Sequence, residues 1–272
     1  MVIPAYDEAR RLPPTLARMR EYLDAAGESY EVIVVDDGSR DDTVSVAEAA
    51  AQKWPQLDVM RLPQNQGKGA AVRAGMLRAR GEVRAFSDAD LSTPIEELPR
   101  LRSRLNGACQ VAIASRDVAG SDIQVHQPGW REFMGRSYNR ILRLLVLPGI
   151  RDTQCGFKVF TAEAAQACFG PLETFRFGFD AEVLVRAHRR GWEIAEVPVR
   201  WRHVEESRVG GIGDALRMLL DLLRLRFKRL QAAPHPPQGV GPDRCQDDQA
   251  RLGDQAVPAE PECQGGDDRG DE

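Results

Sequence analysis

Apolar runs separated by amphipathic stretches organise the first half of the chain. Glu31-Val32-Ile33-Val34-Val35 is apolar after its first residue, the mark of a parallel strand buried on both faces. Leu57 to Leu62, Glu82 to Phe86 and Gln110 to Ser115 predict three more strands, and Met1-Val2-Ile3 is a stub of another. Central strands usually run about five or six residues, so the stub suggests a start truncated relative to its relatives, or a misassigned first methionine. Leu12, Leu16, Met19 and Leu23 recur at helical spacing, and Gly27 closes that helix. Further helices are predicted over 42–53, with Ser39 or Asp41 as cap, from 66 to 80, and from Pro94 to Leu105. Thr93-Pro94-Ile95-Glu96 offers the last of these an N-cap, a first-turn proline and a capping-box glutamate. Strands alternating with helices imply right-handed crossovers and a mostly parallel sheet. The loops that follow the strands then converge on one edge.

The second half is less regular. Residues 116–129 are polar. Arg131 to Leu147 reads as a helix carrying Arg131, Arg136, Arg140 and Arg143. A short strand follows Lys158, Asp180 to Arg190 predicts a helix, and Glu193 to Trp201 a strand. Asp214 to Leu230 places Leu216, Leu219, Leu220, Leu223 and Phe227 on one helical face, with Arg217, Arg224, Arg226, Lys228 and Arg229 over much of the rest. Two readings of this helix are equally open: a membrane-surface helix, or a core-packing helix with a solvated face.

Composition narrows the picture. The chain has 272 residues and 42 % hydrophobic content, enough for one sizeable core. Its net charge of −4 is uneven: residues 232–272 hold ten Asp/Glu against three Arg, a net of −7, which leaves +3 for the first 231 residues. That tail, rich in Pro, Gly, Gln and Asp, is expected to be disordered. A charge of +3 suits phosphate-bearing ligands and is too weak to argue for nucleic acid, so no nucleic-acid partner is expected. The five cysteines lack metal-ligand spacing, so a reduced, cytoplasmic setting is the expectation. No stretch of about 18 apolar residues is present, and no signal peptide is visible.

The chemistry centres on Phe86-Ser87-Asp88-Ala89-Asp90. Alternate residues of a strand point the same way, so Asp88 and Asp90 leave the sheet edge together. They repel unless a cation or a set of donors lies between them. Hard oxygen ligands suit Mg²⁺ or Mn²⁺, which bind through one or two carboxylates plus substrate phosphates. An acidic triplet in a turn is the plainer alternative. Gly67-Lys68-Gly69-Ala70-Ala71-Val72 lacks the third glycine of a dinucleotide fingerprint. Its glycines are expected to let backbone approach a ligand. Asp88 and Asp90 are too close in sequence to straddle a glycosidic bond as a hydrolase pair must.

Together, Pro4-Ala5-Tyr6-Asp7-Glu8, Val35-Asp36-Asp37-Gly38-Ser39, Gln66-Gly67-Lys68-Gly69, Asp88-Ala89-Asp90 and Arg151-Asp152-Thr153-Gln154-Cys155-Gly156-Phe157-Lys158 resemble glycosyltransferase family 2. More narrowly they resemble its polyprenyl-phosphate glycosyltransferases, the dolichyl-phosphate glucosyl branch more than the mannosyl one. The resemblance covers about residues 1–230. It implies an α/β glycosyltransferase-A (Rossmann-like) fold, a mostly parallel twisted sheet with helices on both faces. Within it, 1–115 would be the nucleotide-sugar half, 116–213 the acceptor half, 214–230 the amphipathic helix and 231–272 the acidic tail.

The resemblance also implies roles. Pro4, Tyr6, Glu8, Val35 and Asp37 would line the nucleoside, with Lys68, Asp88, Ala89 and Asp90 completing the nucleotide-sugar site. Asp88 and Asp90 would hold Mg²⁺ or Mn²⁺. Some relatives carry a glutamine ligand where this chain has Ser92. Arg116, Arg131, Gln154, Arg202 and Arg208 would serve the phosphates of donor or acceptor. Asp90 would act in catalysis. Asp180 falls where other family members carry a base, and Asp152 is a second candidate; either is alternatively structural, Asp180 as a helix N-cap. The implied activity is metal-dependent, inverting transfer of a hexose, glucose from UDP-glucose first, to a polyprenyl phosphate by a peripheral protein on the cytoplasmic face of a membrane. GDP-mannose as donor, a non-lipid acceptor, and a non-catalytic binding subunit remain alternatives. A nucleotidyltransferase would need a glycine-rich loop where this chain has Pro4-Ala5-Tyr6.

Overall fold

The structure, a computed structural model, describes residues 1–125, 129, 137, 140–143, 146–176 and 178–203. Arg131, Arg208, most of the 131–147 helix, the 214–230 helix and the acidic tail lie outside the described residues. In chain order the elements are β1 (Val2–Ala5), α1 (Leu12–Ala26), β2 (Val32–Asp36), α2 (Thr43–Ala51), β3 (Leu57–Arg61), α3 (Lys68–Arg78), β4 (Val83–Phe86), a 3₁₀ turn (Ile95–Glu97), α4 (Leu98–Arg102), β5 (Cys109–Ser115) and β6 (Asp122–Val125). There follow β7 (Lys158–Thr161), α5 (Ala162–Phe169), α6 (Phe179–Arg189), β8 (Glu193–Pro198) and β9 (Arg200–Arg202).

Seven strands form one sheet in the order β3-β2-β1-β4-β7-β5-β8. Every pairing is parallel except those of β7, which runs antiparallel to both β4 and β5. Alternation along the strands builds two buried faces. Val2, Ile33, Val35, Phe86, Val111, Ile113 and Phe160 join a core with α3, α5 and α6, while Ile3, Val32 and Val34 are buried away from it. Phe86 is a hub of the core, with ring centroids 6.2 Å from Phe160, 6.3 Å from Phe169 and 5.8 Å from Phe179. Aromatic pairs in such geometries add about 0.5–1.5 kcal/mol each beyond the area they bury. Phe86 is the last residue of β4, so the cluster anchors the strand end from which the Asp88-Ala89-Asp90 turn departs.

Two prolines alter elements that the sequence pattern predicts. The capping box at Thr93–Glu96 does not form. Pro94 is extended (φ −59°, ψ 145°), no side chain caps the turn after it, and Glu96 pairs with Arg18 instead. The helix expected from Pro94 to Leu105 reduces to the 3₁₀ turn and a five-residue α4. Pro99 has no N–H to continue a ladder from Ile95, so the α-helix starts afresh just before it. The strand expected over Glu193 to Trp201 ends at Pro198, and the chain moves to a second, two-stranded sheet of β6 and β9. Proline cannot donate to a ladder and so ends a strand there. The short first strand is nevertheless integral, pairing with β2 at four positions and with β4 at Val2. Among the described residues no helix is long and apolar enough to cross a membrane.

Candidate active site

The turns after β1, β2 and β4 and the loop before α3 gather at the carboxyl edge of the sheet, where open α/β sheets take ligands. After β1, Asp7 has a positive φ of 48°. Its N–H donates to Ser39 Oγ (2.8 Å), and its carboxylate accepts from Arg40 N (2.8 Å). The Glu8 N–H donates to Thr43 Oγ1 (2.7 Å), and the Glu8 carboxylate forks with Arg11 at 2.6 Å through both oxygens. Tyr6 is half-buried beside this network, and Pro4 and Val35 lie in the sheet.

Asp37 anchors the next loop. Its two oxygens accept from the N–H groups of Gln66 and Gly67, each at 2.8 Å. Burial raises its pKa against these two bonds. They set the strained backbone at Gly67 (φ 109°), where a Cβ would collide with Phe175 O. A Cβ at Gly69 would lie 2.7 Å from Phe179 Cβ. The close approach that these glycines allow is thus to the chain's own 175–179 segment, where the sequence reading placed a ligand. The chain entering that segment is held by buried Glu182, which accepts from the N–H groups of Glu173 (3.1 Å) and Thr174 (2.8 Å) and pairs with Arg186 at 2.6 Å.

Lys68 is the first residue of α3. Its ammonium lies 2.5 Å from Asp88 Oδ1 and 5.8 Å from the centre of the Phe179 ring. Burial opposes its charge, but Asp88, Asp180 and Asp90 outweigh that and hold it above the usual lysine range. Asp90 accepts from Ser92 N at 2.9 Å. Burial raises its pKa, and the neighbouring Asp88 charge raises it further. Ser92 therefore orients Asp90 by its backbone. Ala89 O accepts from Thr15 Oγ1 at 2.6 Å, which ties the turn to α1.

The 151–158 stretch closes the other side. A Cβ on Gly156 would overlap the Asp88 carboxylate, so only glycine lets this backbone lie against it. Lys158 is fully buried. Its ammonium donates to Cys155 O at 2.7 Å and forms an ion pair with Asp180, and it lies 5.2 Å from the centre of the Phe86 ring. Asp180 is 3 % exposed; burial raises its pKa against the opposing charges of Lys158 and Lys68. It is the second residue of α6, whose cap position is Gly178 with no side-chain cap bond, so the N-cap alternative for Asp180 is not met.

Asp152 is buried and saturated. It accepts from Arg116 Nε (2.6 Å), Nη2 (2.9 Å) and backbone N (3.0 Å), and from Gln154 N (3.1 Å). Burial alone would raise its pKa, but the Arg116 charge and these bonds bring it down to about 2. The Arg116 guanidinium also lies 5.3 Å from the centre of the Trp201 ring. Gln154 is half-buried, and its Nε2 is shielded from solvent with no hydrogen-bond partner. Arg202 is exposed, and its N–H donates to Ser92 O at 3.0 Å.

The folded pKa of Asp152 lies below the ordinary value of 3.8, so its pairing stabilises the protein above pH 3.8. That contribution, roughly 2 kcal/mol for a shift of this size, fades as pH falls toward 2. Urea unfolding of the wild type and Asp152→Asn between pH 5 and pH 2 checks this: the wild-type curve should fall more steeply by about that amount.

The donor set at Asp88 and Asp90 fits a hard divalent ion, since two carboxylates two residues apart repel and an ammonium already lies on one of them. Among the described residues no group of three or more His, Cys, Asp or Glu gathers. Substrate phosphates would then supply further oxygens. Lys158, Gly156, the Glu182–Arg186 pair and Glu196 have no assigned role in the sequence pattern; Glu196 accepts from Arg151 N (2.8 Å) and Asp152 N (2.9 Å). Lys158 and Gly156 stand inside a quoted motif, which was their only signal.

Comparisons with known proteins agree with this geometry. The family described as Glycosyl transferase family 2 matches residues 1–169. The chain is 36 % identical over 234 residues to a dolichyl-phosphate beta-glucosyltransferase of Trichomonas vaginalis, covering 82 % of this chain and 69 % of that protein. It is 35 % identical over 246 residues to the dolichyl-phosphate beta-glucosyltransferase of Homo sapiens, covering 86 % and 76 %. Among solved structures, glucosyl-3-phosphoglycerate synthase from Mycobacterium tuberculosis in complex with Mn²⁺ and uridine-diphosphate-glucose superposes with a TM-score of 0.63, at 20 % identity, over 83 % of this chain and 77 % of that one. This last likeness speaks for the fold, which is of the glycosyltransferase-A type. With its carboxylate pair at the sheet edge and its first 169 residues matching throughout, the chain belongs to glycosyl transferase family 2.

Proposed function

We propose that this chain transfers glucose from UDP-glucose to a polyprenyl phosphate, with inversion at the anomeric carbon. What carries the reading is the carboxylate pair Asp88 and Asp90 with Lys68 beside it and Gly156 packed against it. With a divalent cation on the two carboxylates the set becomes net positive and suits a diphosphate, in a chain similar over most of its length to dolichyl-phosphate beta-glucosyltransferases. Asp88 and Asp90 would hold the divalent cation, Mg²⁺ or Mn²⁺. When bound, the cation neutralises charge on the departing nucleoside diphosphate.

The remaining steps belong to the chain's own residues. Pro4, Tyr6, Glu8, Val35 and Asp37 border the nucleoside, and Lys68 meets the diphosphate. An acceptor phosphate oxygen attacks the anomeric carbon; its bond forms as the bond to the UDP oxygen breaks, and UDP leaves. A phosphate monoester loses its second proton near pH 6, so the attacking oxygen needs no strong base. Asp152, held at about 2 and saturated by Arg116, serves as a clamp. Asp180, paired with Lys158, serves to position charge. The unpartnered Gln154 Nε2 and the Arg116 and Arg202 side chains border the acceptor phosphate, with Arg131 and Arg208 as further candidates. Positioning and preorganised charge then supply most of the rate. The polyprenyl tail requires work at a membrane surface, and peripheral attachment on the cytoplasmic face belongs to this proposal.

The test is to incubate the protein with Mn²⁺ or Mg²⁺, extracted polyprenyl phosphate, and radiolabelled UDP-glucose or GDP-mannose in parallel. Label is expected in the organic phase from UDP-glucose. Label from GDP-mannose instead reassigns the donor, and tight UDP binding with no lipid label from either donor overturns the acceptor.

A further inference from the structure

This inference rests on the reading of the site as one for a nucleoside diphosphate. We propose that Lys68 is the resting counter-cation of the carboxylate pair, and that a divalent cation settles there only as this ammonium moves from Asp88 to the donor diphosphate. Cation and donor would then bind interdependently, with Lys68 as the element exchanged between them.

Geometry and exposure support the exchange. The Lys68 ammonium lies on Asp88 at 2.5 Å, the side on which an ion shared with Asp90 would need an oxygen. A dipositive ion there would face a full positive charge at contact distance, and the repulsion drives the lysine off. The backbone under Lys68 is fixed, because the preceding Gly67 N–H is held by Asp37 at 2.8 Å; only the side chain moves, and a lysine stem has the freedom to do so. The side chain is 22 % exposed, so it has room on the open side of the site.

The next carboxylate inward is already engaged. Asp180 is paired with the buried ammonium of Lys158 and cannot receive Lys68 without stranding it. A displaced Lys68 therefore turns outward, where the incoming anion is the diphosphate. The inner pair acts as a backstop that gives the exchange its direction. The start of α3, where Lys68 stands, adds a favourable field for that anion.

Mn²⁺ binding, followed by the electron paramagnetic resonance signal of the free ion, tests this with and without UDP in the wild type, Lys68→Met and Lys68→Arg. Wild type should bind Mn²⁺ weakly alone and more tightly with UDP. Lys68→Met should bind Mn²⁺ alone about three- to tenfold more tightly than wild type, about what a half-buried ion pair contributes. It should also lose most of the UDP enhancement. Lys68→Arg keeps the charge and should follow wild type. If Lys68→Met binds Mn²⁺ alone no better than wild type while UDP still enhances binding, the exchange is overturned and the donor site stands. Equal tightening in Lys68→Arg also overturns it. Absence of Mn²⁺ binding in wild type even with UDP overturns the reading of the site, and this inference with it.

Discussion

Asp90→Asn is expected to lower transfer by about 10³-fold, the scale of losing one electrostatic contact or a cation's charge stabilisation in a transition state, without lowering stability. Asparagine is isosteric with aspartate, and its carbonyl oxygen still accepts from Ser92 N, now at 2.9 Å. What disappears is one charge of a pair that burial and mutual repulsion already disfavour. The melting temperature should therefore hold or rise slightly, as it does when a functional strain is relieved. Gly156→Ala reaches the same place from outside. Its methyl group must push the Asp88 carboxylate aside, and a displacement near 1 Å costs roughly 10²-fold in a positioned site. Label transfer and thermal unfolding of both variants decide the matter. Full activity in Asp90→Asn would remove the carboxylate pair from the chemistry.

Lys158→Met is expected to cost about 3–5 kcal/mol of folding stability, because it leaves Asp180 charged and unpaired in the interior. In urea the midpoint should move accordingly. The variant should also strengthen a pH dependence that the wild type already has. Burial already raises the Asp180 pKa, and removing Lys158 removes the main charge that opposes this. An acid whose folded pKa is raised is stabilised while protonated, so the variant should lose stability as pH rises above 3.8, the ordinary value. Lys158→Met combined with Asp180→Leu removes both charges and should recover much of the loss. A loss under about 1 kcal/mol in the single variant, the range of exposed pairs, would mean that the pair is solvated.

The legible and illegible parts of this chain divide along physical lines. The parallel strands were readable because burial on both faces forces continuous apolar runs such as Val32–Val35. Asp88, Asp90 and Lys68 were readable because their spacing and flanking glycines are local. Long-range pairings were not. Arg116 and Asp152 are 36 residues apart, and nothing in either neighbourhood announces the other. Lys158 was passed over because lysine is almost never fully buried unless paired, and its partner Asp180 lies 22 residues away. The antiparallel sense of β7 also has no local signal. The two prolines were visible, yet their effects depend on register: Pro99 breaks a helix for which Thr93 and Glu96 supply a capping pattern, and Pro198 ends a strand whose apolar residues continue to Trp201.

The place of β7 bears on synthesis. It sits between β4 and β5, so those two strands have no common neighbour until residue 161 has left the ribosome. A nascent chain stopped at Ser115 would hold β3, β2, β1 and β4 with an open edge, and β5 with nothing to pair against. The strand that fills the gap begins with Lys158, the cation that neutralises Asp180. Closing the sheet therefore carries this cation inward first, and the carboxylate it neutralises follows 22 residues later. A translation arrest before that point should leave a product prone to edge pairing with other chains.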